Sequence, residues 1–555
     1  MKKHISGTDI LKGSAVLGCA SIISKIIGVV YRIPLTNILG DIGVATYASA
    51  YQIYVLLLAI SSVGIPSAIA RLVSECISLE AYTDARRVYK IAMVYMGILS
   101  GLLGIGLWIG SDIIAYSMNN RSELALPLKA LAPTVFIVSI VAVMRGYYQG
   151  LNNMLPTAIS QIVEQGFNGL FSVVFAFYLV QYGVNVAASG SAVGTGVGAL
   201  AGLIVLLIIG RRIRNKDYNI KRLGTSSTKI YSKDIEILKK ILKTVIPITL
   251  TTSIFSLMTI IDNYLLVYQL PHAIEYLTIN NKLSQIPVTS ADTMDIKLIV
   301  DSLIGQFLNK YIPLINIPVS AILIIATATI PAIASSMVTH NIRDIQHKTN
   351  KLLRLGMLIA LPSSVGLMVL SRPIINVLYP NAPDGSQLLM YGSMGIIFIT
   401  IAQLTTSILQ GMGKQTIPSV HAIIACLVKL ICDIILLQIP SINIYAVVHS
   451  TTICYLCFAL LNVIYLKKTL KIEIDWRDIG LKPLLSTGVM GGIVYIIYSF
   501  LSNLTNDIIA LSISIMSGVI SYMISGFLSR TFTAQDFSYI PYSKKIIKHI
   551  KMYIK

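Results

Sequence analysis

Apolar blocks of about 20 residues alternate with short polar segments along the whole chain. A helix of that length rises about 30 Å, which matches the hydrocarbon core of a bilayer. The pattern therefore predicts an all-α polytopic membrane protein with about 14 transmembrane helices. The predicted spans are 11–32, 43–68, 88–113, 124–147, 156–181, 186–210, 242–268, 311–336, 350–371, 386–411, 417–438, 442–466, 481–502 and 506–529.

Composition strengthens this prediction. Of the 555 residues, 55% are hydrophobic and 12% are charged, about half the charged fraction of a soluble protein. This composition excludes a soluble enzyme and a water-facing nucleic-acid binder, despite a net charge of +20. Lys2 and Lys3 precede the first apolar block as in a signal peptide, but Lys25 interrupts that block, so we interpret it as a retained helix.

The basic residues lie between the blocks, where the positive-inside rule predicts the cytoplasmic side. The segment 211–243 holds eleven Lys and Arg against three acids, whereas 270–310 holds three Lys against four acids. Three further basic segments, 343–354, 467–471 and 544–555, belong to the same side as 211–243 if fourteen spans are counted. We therefore expect both termini in the cytoplasm and localisation in a bacterial cell membrane. The segment 270–310 is expected as an outer loop that is too polar to span and is compatible with an amphipathic piece at the outer interface.

Two short sequence echoes indicate an internal repeat. Pro66 and Pro331 follow isoleucine near the ends of the second and eighth spans, and Gly150 and Gly411 follow glutamine after the fourth and tenth. An offset of six helices preserves orientation, so we predict two parallel six-helix lobes around a central cavity, followed by two extra C-terminal helices. Pro66 and Pro331 are candidate hinges, although each proline is equally compatible with a simple kink or helix end.

The repeat and the loop charges together give the predicted domain boundaries. The predicted units are an N-terminal lobe (1–210), a basic linker (211–241), a C-terminal lobe (242–466), two extra helices (467–529) and a basic cytoplasmic tail (530–555).

Charged residues inside the apolar blocks are the candidates for function, because each costs about 2.5–3.5 kcal/mol at the bilayer centre. Lys25 lies deep in the first span and Arg32, seven residues later, shares its helical face. We expect Lys25 to meet an anionic substrate, whereas Arg32 is also compatible with a snorkelling residue or a pair with Asp41. Arg145, at a span end, is equally explained by the positive-inside rule.

Acidic residues inside the spans have several interpretations. Glu164 and Asp262 are candidates for partners of Lys25 or for a coupling-cation site. Lys429 and Asp433, four residues apart, are expected to form a structural ion pair. Gly190, Gly194, Gly198 and Gly202 form a small-residue stripe for close helix packing. The sequence has no phosphate-binding loop motif and no metal-ligand spacing, so no cofactor or metal is expected.

Several motifs resemble one known family. They are Ser21–Pro34, Tyr47–Gln52, Arg145–Gly150, Pro156–Gln165 and Gln410–Gln415. These segments are similar to the stage V sporulation protein B and YtgP branch of the multidrug/oligosaccharidyl-lipid/polysaccharide (MOP) superfamily, which includes the MurJ-type lipid II flippases.

The resemblance implies a flippase for an undecaprenyl-diphosphate-linked sugar, with lipid II the leading case, serving peptidoglycan or related polysaccharide synthesis. It also implies that Lys25 takes the place of the first substrate-binding cation that the family has in its first helix. Arg32 falls one residue after the family's second cation in that helix. Lys310 is the cation nearest to the position of the family's arginine in the eighth helix. The expected partners are the lipid-linked substrate, the bilayer and a coupling ion, Na⁺ or H⁺. No nucleic acid partner is expected, and the oligomeric state is left open, compatible with a monomer.

Two other classes remain alternatives. A cation-coupled multidrug or small-solute exporter of the same superfamily would share this architecture. A membrane glycan polymerase or glycosyltransferase would need clustered acids or histidines on a large loop; 270–310 has Asp292, Asp295 and Asp301 but no acid–base pair at a span end. We therefore expect a transporter and not an enzyme.

Overall fold

The structure is a computed structural model that describes residues 7–216, 231, 233–289, 295–338, 342–468, 471 and 473–532. The described part is α-helical and contains no strand, which confirms the predicted all-α class. Linker residues 217–230 and the predicted tail beyond residue 532 lie outside it. The α-helices are α1 Gly7–Val30, α2 Arg32–Leu58, α3 Ile65–Ser78, α4 Tyr82–Ser117, α5 Ala125–Gly150, α6 Leu155–Leu179, α7 Val184–Lys216, α8 Asp234–Ile279, α9 Ile296–Gly305, α10 Ile312–Val338, α11 Ile342–Val369, α12 Ser371–Leu378, α13 Ser386–Gly392, α14 Gly395–Gly411, α15 Thr416–Leu436, α16 Tyr445–Lys468, α17 Lys482–Leu501 and α18 Asp507–Leu528.

The count of fourteen spans is not confirmed. Eleven helical stretches of the described chain are long and apolar enough to cross a membrane, or twelve if α13 and α14, bent by 47° at their junction, form one span. One of these stretches, Val16–Ser78, is 63 residues long and covers most of the first predicted span and all of the second. At 1.5 Å per residue it would extend about 95 Å if straight, roughly three bilayer cores.

The first break in this stretch lies within the predicted gap 33–42 between the first two spans, near its end. Tyr31 has helical torsion angles, and Leu35 donates its backbone N–H to the Tyr31 carbonyl at 3.2 Å, so α1 continues into α2. Helical geometry is interrupted at Gly40, whose φ of 67° and ψ of 175° are readily adopted only by glycine. Arg32 therefore lies inside a helical run and not at its outer end.

The described part of the segment 270–310 is largely helical, and the expectation that all of it is too polar to span is wrong, because Ile296–Leu323 is one of the eleven stretches. Helix α8 extends to Ile279, and α9 leads through the π-helical turn Gln306–Tyr311 into α10. Every residue from Val300 to Lys310 is buried. This stretch is buried despite its charges because Asp301 and Lys310 each contact a buried residue of opposite charge elsewhere in the chain.

The helices group into two compact units. One is Met1–Lys310 with Leu437–Asn443, and the other is Tyr311–Leu436 with Ile444–Lys555. Helix α8, which the sequence analysis assigns to the C-terminal lobe, packs within the first unit against α2, α3 and α4. The boundaries of the predicted lobes stay a prediction.

The glycine stripe on α7 packs as predicted. A Cβ on Gly194 would lie 2.4 Å from the Ser172 backbone nitrogen, and one on Gly198 would lie 2.6 Å from the Glu164 carbonyl oxygen. These distances are shorter than any side chain tolerates, so α7 and α6 contact each other through their backbones. The small residues are therefore required for the close approach of the two helices.

Candidate substrate-binding charges

Arg145 and Glu164 form an ion pair between α5 and α6. The Arg145 guanidinium donates to Glu164 Oε2 at 2.6 Å and, through Nε, to the Ser160 hydroxyl at 2.8 Å. Their side chains are 12% and 16% exposed. Glu164 is therefore the partner of Arg145 and not of Lys25.

Lys310 is fully buried and paired with Asp41. Its Nζ lies 2.7 Å from Asp41 Oδ1 and 2.8 Å from Oδ2, and the Lys310 side chain is 0% exposed. The backbones meet at the same place, because a Cβ on Gly305 would lie 2.0 Å from the Asp41 carbonyl oxygen. The suggested pair of Arg32 with Asp41 is wrong, since Asp41 binds Lys310.

Arg32 is half-buried beside polar and aromatic neighbours. One of its terminal nitrogens donates to Asn309 Oδ1 at 3.5 Å, and its guanidinium lies 5.9 Å from the centre of the Tyr51 ring. No carboxylate lies within 4.0 Å of Arg32 among the described residues. Its positive charge is therefore held in place by neutral groups.

Lys25 is exposed on α1. Helix α1 packs against α6, where the Ser21 hydroxyl donates to Gln161 Oε1 at 3.4 Å. No carboxylate lies within 4.0 Å of the Lys25 ammonium in the described part of the chain. Because the helix runs unbroken through Tyr31, Lys25 and Arg32 lie on one face, about two turns or 10 Å apart.

The remaining predicted residues have different settings. Asp262 is 4% exposed in α8, and no described contact joins it to Lys25. Pro66 lies in the first turn of α3, directly after a π-helical turn, a position where proline costs no hydrogen bond. Pro331 lies within α10. The two candidate hinges thus differ in local structure, and their hinge role stays a prediction.

The predicted pair Lys429–Asp433 is confirmed. Lys429 Nζ donates to Asp433 Oδ2 at 2.8 Å, and the Ser450 hydroxyl donates to the other carboxylate oxygen. Both charged side chains are at most 5% exposed. The four-residue spacing on one helix was sufficient to predict this contact.

Sequence reasoning missed the polar neighbours of Arg32. Asn309 is uncharged and lies 277 residues from Arg32 in the chain, so no spacing rule links the two. It also missed the contact of Arg121 with Asp301, at 2.5 Å, because its partners are 180 residues apart.

Comparisons with known proteins place the chain in a family. The profile of a family described as "Polysaccharide biosynthesis protein" matches residues 10–337, more than half of the chain, and that of "Lipid II flippase MurJ" matches residues 313–515.

Curated relatives cover most of the chain. It is 24% identical over 552 residues to the uncharacterized membrane protein YabM of Bacillus subtilis, covering 98% of this chain and 97% of the relative. It is 25% identical over 479 residues to lipid II flippase MurJ of the same organism, covering 83% of each. It is 22% identical over 473 residues to stage V sporulation protein B, also of Bacillus subtilis, covering 85% of this chain and 86% of the relative.

Solved structures share the fold. A lipid II flippase MurJ in an inward closed conformation matches with a TM-score of 0.66 at 16% identity, covering 93% of this chain and 98% of the other. An inward-facing multidrug resistance MATE family transporter matches with a TM-score of 0.62 at 15% identity, covering 81% and 94%. The chain belongs to the polysaccharide biosynthesis protein family, in the MurJ and stage V sporulation protein B branch of the MOP superfamily.

Proposed function

We propose that this multi-pass membrane protein moves an undecaprenyl-diphosphate-linked sugar, lipid II in the first instance, from the inner to the outer leaflet by alternating access. The relatives named as lipid II flippases support this substrate class. The superfamily consists of transporters, in agreement with the expectation that the chain is not an enzyme. We also place the protein in the bacterial cell membrane with both termini in the cytoplasm, and we leave the coupling ion open between Na⁺ and H⁺.

The observation that carries the proposal is the pair of uncompensated cations on one helical face. Lys25 and Arg32 have no carboxylate within 4.0 Å among the described residues, whereas Arg145 and Lys310 do. A cation neutralised by a buried carboxylate has little attraction left for a second anion. Lys25 and Arg32 are therefore the substrate cations that we propose, and we assign Arg145 and Lys310 to ion pairs that hold helices together.

The chemistry of the cargo suits this arrangement. A diphosphate carries negative charge that the hydrocarbon core excludes, while the prenyl tail remains in lipid throughout. The Lys25 and Arg32 backbones lie about 10 Å apart on one helix face. Because lysine and arginine side chains are long and flexible, the two cations can reach both phosphates of one diphosphate. Their charge lowers the barrier for the polar head group alone.

The proposal is tested by removing one charge and keeping the side-chain length. We expect Lys25→Met to abolish support of wall growth when a lipid II flippase is depleted, at normal membrane abundance. Loss of an intramembrane charge does not hinder insertion. Lys25→Arg should retain activity, because a guanidinium also binds phosphate.

The control is the same substitution at an exposed lysine on another helix. Lys90 lies on α4, so Lys90→Met removes one exposed lysine charge without touching the proposed site and should be fully active. Full activity of a well-expressed Lys25→Met would refute the substrate role of Lys25.

A further inference from the structure

Arg32 differs from three other buried or half-buried cations of the first unit. Arg121, Arg145 and Lys310 each bind a carboxylate within 3.5 Å. The hydrogen-bond acceptor of Arg32 is instead the side-chain amide of Asn309, which carries no charge. An amide orients a guanidinium without neutralising it.

Thr36 determines which way this amide faces. The Thr36 hydroxyl donates its proton to the Arg32 carbonyl at 2.8 Å, so its oxygen is left to accept. The Asn309 NH₂ group lies 2.7 Å from that oxygen and donates to it. The amide oxygen of Asn309 must then point the other way, towards the Arg32 guanidinium. Thr36 and Asn309 are both 0% exposed, so water does not compete for these contacts.

The π-helical turn Gln306–Tyr311 brings Asn309 to this place. Within the turn, the consecutive residues Asn309 and Lys310 both contact α2, the first at Thr36 and the second at Asp41. Such π-helical insertions are common at functional sites. The Lys310–Asp41 ion pair fixes the turn against α2 and so fixes Asn309 beside Arg32.

We propose that Asn309 is a positioning residue for Arg32: a neutral acceptor that aims the guanidinium and leaves its full charge for a lipid diphosphate. This inference rests on the proposed function, because it takes Arg32 as a substrate cation. It predicts that a carboxylate at position 309, although nearly identical in shape and a stronger acceptor, is harmful.

The test measures binding of geranylgeranyl diphosphate to the full-length protein in detergent by calorimetry, with uncharged geranylgeraniol as the reference ligand. We expect Asn309→Asp to weaken diphosphate binding by about tenfold or more, because the new carboxylate compensates Arg32. Binding of geranylgeraniol should not change. If Asn309 had only a structural role, Asn309→Asp would not weaken diphosphate binding, since the acceptor is kept and the contact with Arg32 becomes a salt bridge.

Thr36→Val is the matched control. It breaks the same contact between positions 36 and 309 that Asn309→Asp breaks but adds no charge, and it should weaken binding far less. The midpoint of thermal unfolding shows whether each variant is folded. If Asn309→Asp is unfolded, Asn309→Leu, which removes the acceptor without adding charge, should weaken diphosphate binding about threefold or more at an unchanged midpoint.

Arg32→Gln separates the two hypotheses. If Arg32→Gln binds the diphosphate like the wild type, the proposed role of Arg32 is wrong. If Arg32→Gln loses binding while folded Asn309→Asp, or folded Asn309→Leu in its place, retains wild-type affinity, the proposed function stands and the inference about Asn309 is overturned.

Discussion

A charge inside a membrane protein is stabilised either by a partner in the protein or by a ligand. In the described chain, Arg145, Lys310 and Lys429 have protein partners that are nearly as buried as they are. Lys25 and Arg32 have no such carboxylate in the part of the chain that the structure describes. The distinction lies in the neighbouring carboxylates, which a count of cations along the sequence does not show.

The first prediction concerns Arg145 and Glu164. Arg145→Met leaves the Glu164 carboxylate mostly buried without its partner, which should cost about 3–5 kcal/mol of stability. The double variant Arg145→Met with Glu164→Gln leaves no unpaired charge and should recover most of this loss. Thermal unfolding in detergent measures both effects.

Activity of the same double variant separates a structural pair from a binding site. We expect it to support wall growth close to the wild-type level. A double variant that is as stable as the wild type but inactive would show that Arg145 or Glu164 binds substrate, and our assignment of this pair would be wrong.

Single-residue predictions succeeded where the partner lies on the same helix. The contact of Lys429 with Asp433 follows from a spacing of four residues, whereas the contact of Lys310 with Asp41 joins positions 269 residues apart. No local rule relates such distant residues, so the sequence indicated the charges of the candidate site but not their pairing. The neutral residue Asn309, 277 positions from Arg32, had no signal at all.

At the level of helices, glycine contacts repeat between the two units. A Cβ on Gly146 would lie 2.8 Å from the Pro66 carbonyl oxygen and 3.0 Å from Ile69 Cβ. A Cβ on Gly411 would lie 2.9 Å from the Ile330 carbonyl oxygen and 2.9 Å from Ile333 Cβ. In both units a glycine packs over a carbonyl and over the side chain three residues further on. A Cβ on Gly150 would meet the Ala70 carbonyl oxygen at 2.9 Å and Val73 Cβ at 2.6 Å, which is the same kind of contact one turn further along. The shared contact supports the internal repeat, and it agrees with the predicted correspondence of Gly411 with Gly150 as well as with Gly146.

The second prediction follows from these distances. Gly146→Ala and Gly411→Ala should each destabilise the protein by about 1–3 kcal/mol, because the obstructing atoms include backbone that cannot rotate away. Gly166→Ala is the control, since a Cβ there meets nothing within 4 Å. It should leave stability unchanged or slightly raised, as alanine favours the helix. Equal stability of all three variants would contradict the tight packing of α3 on α5 and of α10 on α14.

Helix positions were easier to predict than the burial of a polar segment. All fourteen apolar blocks overlap described helices, because hydropathy alone marks them. The junction at Gly40 falls within the predicted gap 33–42, whereas the burial of α9 was missed. A polar stretch is buried when its charges are paired, as those of Asp301 and Lys310 are, and hydropathy does not see the partner.

On the scale of the whole molecule, segments that the loop charges assign to the same side of the membrane contact one another within each unit. At one end of the first unit, Arg87 binds Asp234 and Lys240 approaches Glu75; all four lie in segments predicted to be cytoplasmic. In the second unit, Asn350 contacts the backbone of Glu473, again between two segments predicted to be cytoplasmic. These contacts relate segments within each unit to one another, and the side of the membrane on which they lie stays a prediction.

The outer end of the first unit shows the same consistency. The side chain of Asn119 donates to the Val267 carbonyl at 3.2 Å, and Lys297 lies 3.4 Å from Glu123. All four residues lie in segments that the positive-inside rule assigns to the outer side or at the outer end of a predicted span. Helix α8 therefore connects the two groups, with Asp234 near one and Val267 near the other.

The last prediction uses α8 to determine the orientation. In a variant without the six native cysteines, Lys239→Cys and Lys282→Cys each introduce one exposed thiol, on opposite sides of the predicted span 242–268. A membrane-impermeant maleimide should label position 282 on intact cells and position 239 only after permeabilisation, because 211–243 carries the excess of Lys and Arg that is retained in the cytoplasm. The cysteine-free parent measures background labelling. Labelling of 239 but not 282 on intact cells would invert the topology, and labelling of both from one side would show that α8 does not cross the membrane.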